Sequence, residues 1–197
     1  MPFDNPKLGE FRVSTHIANG QYAYVPPPAT KSKATPDLTW PALTEVDGEL
    51  VFERSALRFS GRTQLAGAPD VTWQKVDVQV PNLAAAVVSV SGEARGPLSQ
   101  VLDVIAKSAL NELTGGVLNK SQATGEANYQ LALTLPLAQL NKTTLQGSVV
   151  FANNALQVIP GTPVLNRTRG TLQFSDSGFK LKGLQAQLLG GEANLEG

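Results

Sequence analysis

Three stretches of the chain alternate apolar and polar residues in one register, and each is followed by a second alternating run after a short polar break. Gly48-Glu-Leu50-Val-Phe52, Gly147-Ser-Val149-Val-Phe151 and Gly170-Thr-Leu172-Gln-Phe174 share the form Gly-x-aliphatic-x-Phe. The runs that follow are Ala56-Leu57-Arg-Phe59, Ala155-Leu156-Gln-Val158 and Gly178-Phe179-Lys-Leu181. Apolar side chains at period two mark strands with one buried face. Two-residue turns are predicted at Arg54-Ser55, Asn153-Asn154 and Asp176-Ser177. They set Phe52 against Leu57, Phe151 against Leu156 and Phe174 against Phe179. One step back, Leu50 faces Phe59, Val149 faces Val158 and Leu172 faces Leu181, all on that face. Internal repetition of this kind predicts a sheet grown by adding hairpins.

The rest of the chain supports more strands and one helix. Phe11 to Ile17 alternates, and Asn19-Gly20 then supplies a type I′ hairpin signal before Tyr22-Ala-Tyr24. Pro26-Pro27-Pro28 ends that unit, and 26–37 reads as an irregular Pro-rich connection. Between Val71 and Val80, Val76, Val78 and Val80 share one face while Lys75, Asp77 and Gln79 share the other. Val87 to Glu93 is a further short strand. From Leu98 to Leu113 the apolar spacing changes to three and four residues. That spacing predicts an amphipathic helix near 98–113, within a helical segment 97–116 that has Pro97 in its first turn and Gly115-Gly116 past its end. Tyr129 to Leu137 then restores strict alternation.

Composition narrows the class. The 197 residues include 16 basic and 16 acidic ones, so there is no electrostatic case for nucleic acid. Charged residues make up only 16%, against about 25% in ordinary soluble domains. Gln, Asn, Ser, Thr and Gly take their place, which suits long sheets with a polar outer face. Cysteine is absent, which excludes disulfides and thiolate metal sites. No apolar run approaches the roughly 18 residues of a membrane-spanning helix. The opening Pro2-Phe3-Asp4-Asn5-Pro6 carries no secretory signal. We expect 1–197 to be a single β segment excised from a longer, repeat-built protein.

The phrase Gly170-Thr-Leu-Gln-Phe-Ser-Asp-Ser-Gly-Phe-Lys-Leu, followed by Leu184-Gln-Ala-Gln-Leu-Leu-Gly-Gly, resembles the AsmA-like superfamily of Gram-negative envelope proteins. The order Trp40-Pro41, the Gly48 repeat, the helix, Leu135-Pro136-Leu137 and the Gly147 repeat is similar to its YhdP branch in particular. The resemblance covers the chain from about Phe11 onward. It implies a mainly β fold: an elongated, twisted antiparallel sheet curled into an apolar groove. It implies a periplasmic location, with the full-length protein anchored in the inner membrane, and movement of phospholipid toward the outer membrane. The implied partners are phospholipid acyl chains and neighbouring repeats, with membrane contact made only outside this chain. The residues expected to line the groove are the twelve apolar residues of the three repeats named above.

The same stripe is also what a passive structural or adhesive β-module would carry, with a closed core and protein or glycan partners. Catalysis has little to work with. His16 is the only histidine, in an exposed register, and no Gly-x-Ser-x-Gly elbow exists. Asp47 and Glu49 beside a turn read as surface charges rather than metal ligands. Gly61, Gly67, Gly92 and Gly96 lack the spacing of a phosphate loop. No cofactor is expected.

Overall fold

A computed structural model describes residues 11–23, 41–108, 110–139 and 142–197. The Pro-rich connection expected at 26–37 lies outside these residues. The described strands are β1 (Arg12–Tyr22), β2 (Leu43–Glu53), β3 (Ala56–Leu65), β4 (Ala68–Val80), β5 (Val87–Pro97), β6 (Gln122–Thr124), β7 (Glu126–Pro136), β8 (Thr144–Gln157), β9 (Leu165–Ser175), β10 (Gly178–Leu188) and β11 (Gly191–Leu195). They form one antiparallel sheet in the order β1-β2-β3-β4-β5-β7-β8-β9-β10-β11, with β6 beside β8. The sheet is open: among the described residues β1 and β11 lie at opposite ends of this order and do not pair. Helix α1 (Leu98–Ala106) and the single turn α2 (Leu110–Leu113) interrupt the succession of hairpins.

Turn chemistry sets the first and third repeats as expected. Glu53 pairs with Ala56 across Arg54-Ser55, and Ser175 pairs with Gly178 across Asp176-Ser177. Phe52 therefore faces Leu57, Leu50 faces Phe59, Phe174 faces Phe179 and Leu172 faces Leu181. Leu189-Gly190 makes another two-residue turn, both residues having positive φ, as a type I′ turn demands. At one end of the strands successive turns are tied to each other. Arg54 N–H donates to Phe11 O (2.8 Å), Leu83 N–H to Ser55 O (2.8 Å) and Leu137 N–H to Ala86 O (2.9 Å). Helix α1 lies toward the opposite end.

The second repeat is not a hairpin. β8 runs unbroken through Asn153-Asn154, so Phe151 does not face Leu156, and Val158 lies beyond the strand. Phe151 pairs with Ala127 and Gly170 instead, and Leu156 with Ala123 and Leu165. The pairing shifts by one residue between Phe151 and Asn154, which makes the Asn pair a bulge. Asn154 is fully buried there. Its Nδ2 donates to Thr124 O (3.0 Å) and Glu126 O (3.1 Å), and its Oδ1 accepts from Ala152 N–H (3.2 Å). It thereby bridges the break between β6 and β7, where Gly125 has φ +86°. Asn154→Ala leaves two backbone carbonyls without a donor. We expect a loss of about 2–4 kcal/mol in urea unfolding, from one to two unsatisfied buried groups.

Asn19-Gly20 is a bulge for the same reason. β1 continues through it to Tyr22, with Ile17 opposite Gly48 and Gly20 opposite Val46. Asn19 (φ 52°) and Glu45 (φ 50°) on the neighbouring strand both take the left-handed conformation. A turn and a bulge ask the same backbone of the residue, and a partner strand on both sides of the kink decides for the bulge.

The helix is shorter than its apolar spacing predicts. β5 passes directly into α1 at Pro97, and Leu98 N–H donates to Gly125 O (3.0 Å). The helix ends at Ala106, because buried Ser108 accepts from Leu110 N–H through its hydroxyl (3.3 Å) and starts a new turn.

Candidate functional site

The register places apolar side chains of every strand on one face. From β2 to β11 the rows of paired residues on that face carry no charged side chain among the described residues. One row reads Leu50, Phe59, Val78, Val90, Leu133, Leu145. The next runs Ile17, Gly48, Gly61, Val76 and, from β5 onward, Gly92, Leu131, Gly147, Phe174, Phe179. A third runs Trp73, Ala94, Tyr129, Val149, Leu172, Leu181.

Glycines punctuate the middle row, and aromatic rings lie over them. A Cβ at Gly48 or at Gly61 would stand 2.9 Å from the Cζ of Phe59. One at Gly92 would stand 2.9 Å from Cε3 of Trp73, and one at Gly147 would collide with the ring of Phe174. In the first two repeats the glycine of the Gly-x-aliphatic-x-Phe motif thus lies under a cross-strand ring and against close backbone, Ser60 O and Gly61 Cα at Gly48 and Gln130 O at Gly147. In the third, Gly170 (φ +117°) instead takes the close backbone of Gly183. We expect Gly147→Ala to lift the Phe174 ring and lose about 1–3 kcal/mol in denaturant titration, as overpacking does.

Burial along the face is uneven. Toward α1, the helix packs Leu98 and Val104 with Val71, Ala94, Ala127, Tyr129 and Phe151, all nearly fully buried. From β2 to β9 the polar groups on the face are there too, and three of them are internally bonded through their hydroxyls. Tyr129 donates to Gly96 O (3.3 Å), Thr63 to Thr44 O (2.9 Å) and Thr168 to Leu165 O (3.0 Å). Burial pushes the Tyr129 hydroxyl well above its ordinary pKa, so it stays a neutral donor. Among the described residues, the indole N–H of Trp73 on this face is buried without a partner, and so is Asn111 Oδ1 in α2.

Of the twelve residues expected to line a groove, eleven reach this face. Leu50, Phe52, Leu57, Phe59, Val149, Leu156, Leu172, Phe174 and Leu181 are half-buried on it. Phe151, 7% exposed, belongs to the packed core instead. Phe179 is 73% exposed, because β11 pairs with β10 only over Leu184–Leu188 and leaves Phe179 at an open edge. Val158 is off the face, exposed, with its carbonyl accepting from Ser121 Oγ (2.7 Å). Sequence reasoning left out Val78, Val90, Leu133 and Leu145, which join the repeats into one strip. Their alternation was visible, but not the strand order that aligns them.

The opposite face is polar and laced by exposed pairs: Lys75–Glu93 (2.9 Å), Arg95–Glu126 (2.7 Å), and Asp47 with Arg62 (3.6 Å) and His16 (3.7 Å). His16 is solvated, as its register predicts. Among the described residues no three His, Cys, Asp or Glu side chains cluster as metal ligands, and no helix is long and apolar enough to cross a membrane.

With one face apolar and charge-free from β2 to β11 and the other polar, the described residues define an open antiparallel β-sheet protein rather than a closed sandwich. The family model described as YhdP protein matches residues 1–197, and the chain belongs to that family. It is 25% identical over 199 residues to the intermembrane phospholipid transporter YhdP of Escherichia coli (strain K12), covering 98% of this chain. The chain spans 14% of that relative's length. No solved structure matches.

Proposed function

We propose that this chain is a segment of a bridge-like protein that moves phospholipid between the inner and outer membranes, with acyl chains lying on the apolar face. The observation that carries this reading is the absence of charge along that face from β2 to β11. Burying acyl chains there is favourable by about 0.8 kcal/mol per methylene. The strand backbone is already bonded within the sheet, so no polar group need meet the tails. The similarity to an intermembrane phospholipid transporter points the same way. In this reading the segment stands in the periplasm and neighbouring segments of the longer protein extend the groove. An inner-membrane anchor and all membrane contacts belong to parts outside this chain. A passive module with a closed core is disfavoured by a sheet that remains open.

The role is conduction, not catalysis. Two measurements test it. Native mass spectrometry of the gently purified chain should find co-purified phospholipid. A photoreactive azidophenylalanine at Phe52 or Phe174, both half-buried on the face, should capture lipid. If the chain is lipid-free and both probes capture only protein, the reading fails.

A further inference from the structure

We propose that the acyl path keeps to one half of the apolar face, the half on the tied-turn side of the glycine row, with Val90 and Leu133 at its centre. This rests on the lipid-groove reading and states where in the groove the lipid lies. Three observations carry it.

On β5 and β7, the strands beside α1, burial divides the face along the glycine row. Ala94, Ala127 and Tyr129 on the helix side are at most 6% exposed, whereas Val90 and Leu133 on the other side are only half-buried, as are Val78 and Leu145 next to them. Val80 at the end of β4 is the buried exception on that side. A buried side chain offers no surface to a passing ligand.

The helix that covers the first half is a wall and not a lid. It leaves β5 without a linker, and its first N–H is bonded to Gly125 O. Gln100 holds it to the start of β4 by two hydrogen bonds, donating to Asp70 Oδ2 (2.6 Å) and accepting from Asp70 N–H (3.1 Å). Its apolar side chains share one core with β4, β5, β7 and β8.

The two halves also differ chemically. From β2 to β9, the side chains that bear N–H or O–H on this face, Thr63, Trp73, Tyr129, Asn154 and Thr168, lie on the helix side. From β2 to β8 the half around Leu50, Phe59, Val78, Val90 and Leu133 offers no side-chain donor or acceptor; the hydroxyl of Thr15, opposite Leu50 on the edge strand β1, lies outside that stretch. An occupant with its own polar groups, such as a peptide strand, would lose its hydrogen bonds to water there and gain none. Acyl chains have none to lose, so they are the occupant this surface fits.

Azidophenylalanine placed singly at Phe59, Leu133, Tyr129 and Phe151 tests the division, since three of the four replace one aromatic ring by another. Each full 197-residue variant is checked for the parent circular dichroism spectrum, mixed with vesicles of phosphatidylethanolamine and phosphatidylglycerol, irradiated and weighed. Phospholipid adducts are expected at Phe59 and Leu133, with complete loss of adduct at Tyr129 and Phe151. Adducts at Tyr129 or Phe151 as strong as at Leu133 overturn the proposal and leave the lipid reading standing. So does capture at Phe174 with none at Leu133. No adduct at any position, Phe52 and Phe174 included, overturns both.

Discussion

Phe151→Ala is expected to destabilise the chain by about 3–5 kcal/mol, the range for removing a fully enclosed ring. Phe151 is 7% exposed and packs in the cluster that α1 closes. Truncation leaves a cavity whose walls belong to β7, β8 and the helix, each held by its own hydrogen-bond ladder and poorly able to collapse. Phe174, which holds the same position in the third repeat, is half-buried over Gly147. Its truncation opens a site already in contact with solvent, and we expect a clearly smaller loss. Urea unfolding of the two variants and the parent, followed by tryptophan fluorescence, checks the pair. Equal losses would mean that the face is covered uniformly, as in a closed core.

Leu133→Asp in the full-length protein is expected to abolish lipid transport while this segment stays folded. Leu133 stands between Val90 and Leu145 in the row farther from the helix. A carboxylate there obstructs the path with a charge that acyl chains can pass only by desolvating it. Because Leu133 is half-buried, the carboxylate of the empty segment reaches water and the sheet tolerates it. Val71→Asp is the contrasting change: at 0% exposed beneath α1, the same charge finds no water and the segment unfolds. Envelope integrity in cells, read beside circular dichroism of the purified segment, separates the two. Full function from Leu133→Asp would rule out conduction along this row.

The sequence by itself determined every element whose information is local. Period-two alternation placed the strands of the repeats. Arg54-Ser55 and Asp176-Ser177 closed two hairpins because a two-residue turn needs only its own residues. The separation of Val76, Val78 and Val80 from Lys75, Asp77 and Gln79 announced an apolar and a polar face. What failed depended on partners distant in sequence. Asn19-Gly20 and Asn153-Asn154 carry the chemistry of turns, yet partner strands on both sides make each a bulge. The helix stopped early on a buried serine whose hydroxyl found a nearer donor. The repeat glycines stood out in the sequence only as part of the motif; the cross-strand rings and close backbone at Gly48 and Gly147 give them a reason that only the tertiary structure shows. Phe151 and Phe174 occupy one position of one motif, and no local signal distinguishes them. Tertiary structure alone made the first a core residue and left the second on an open strip, because burial depends on what lies across a side chain, and α1 crosses only one half of the face.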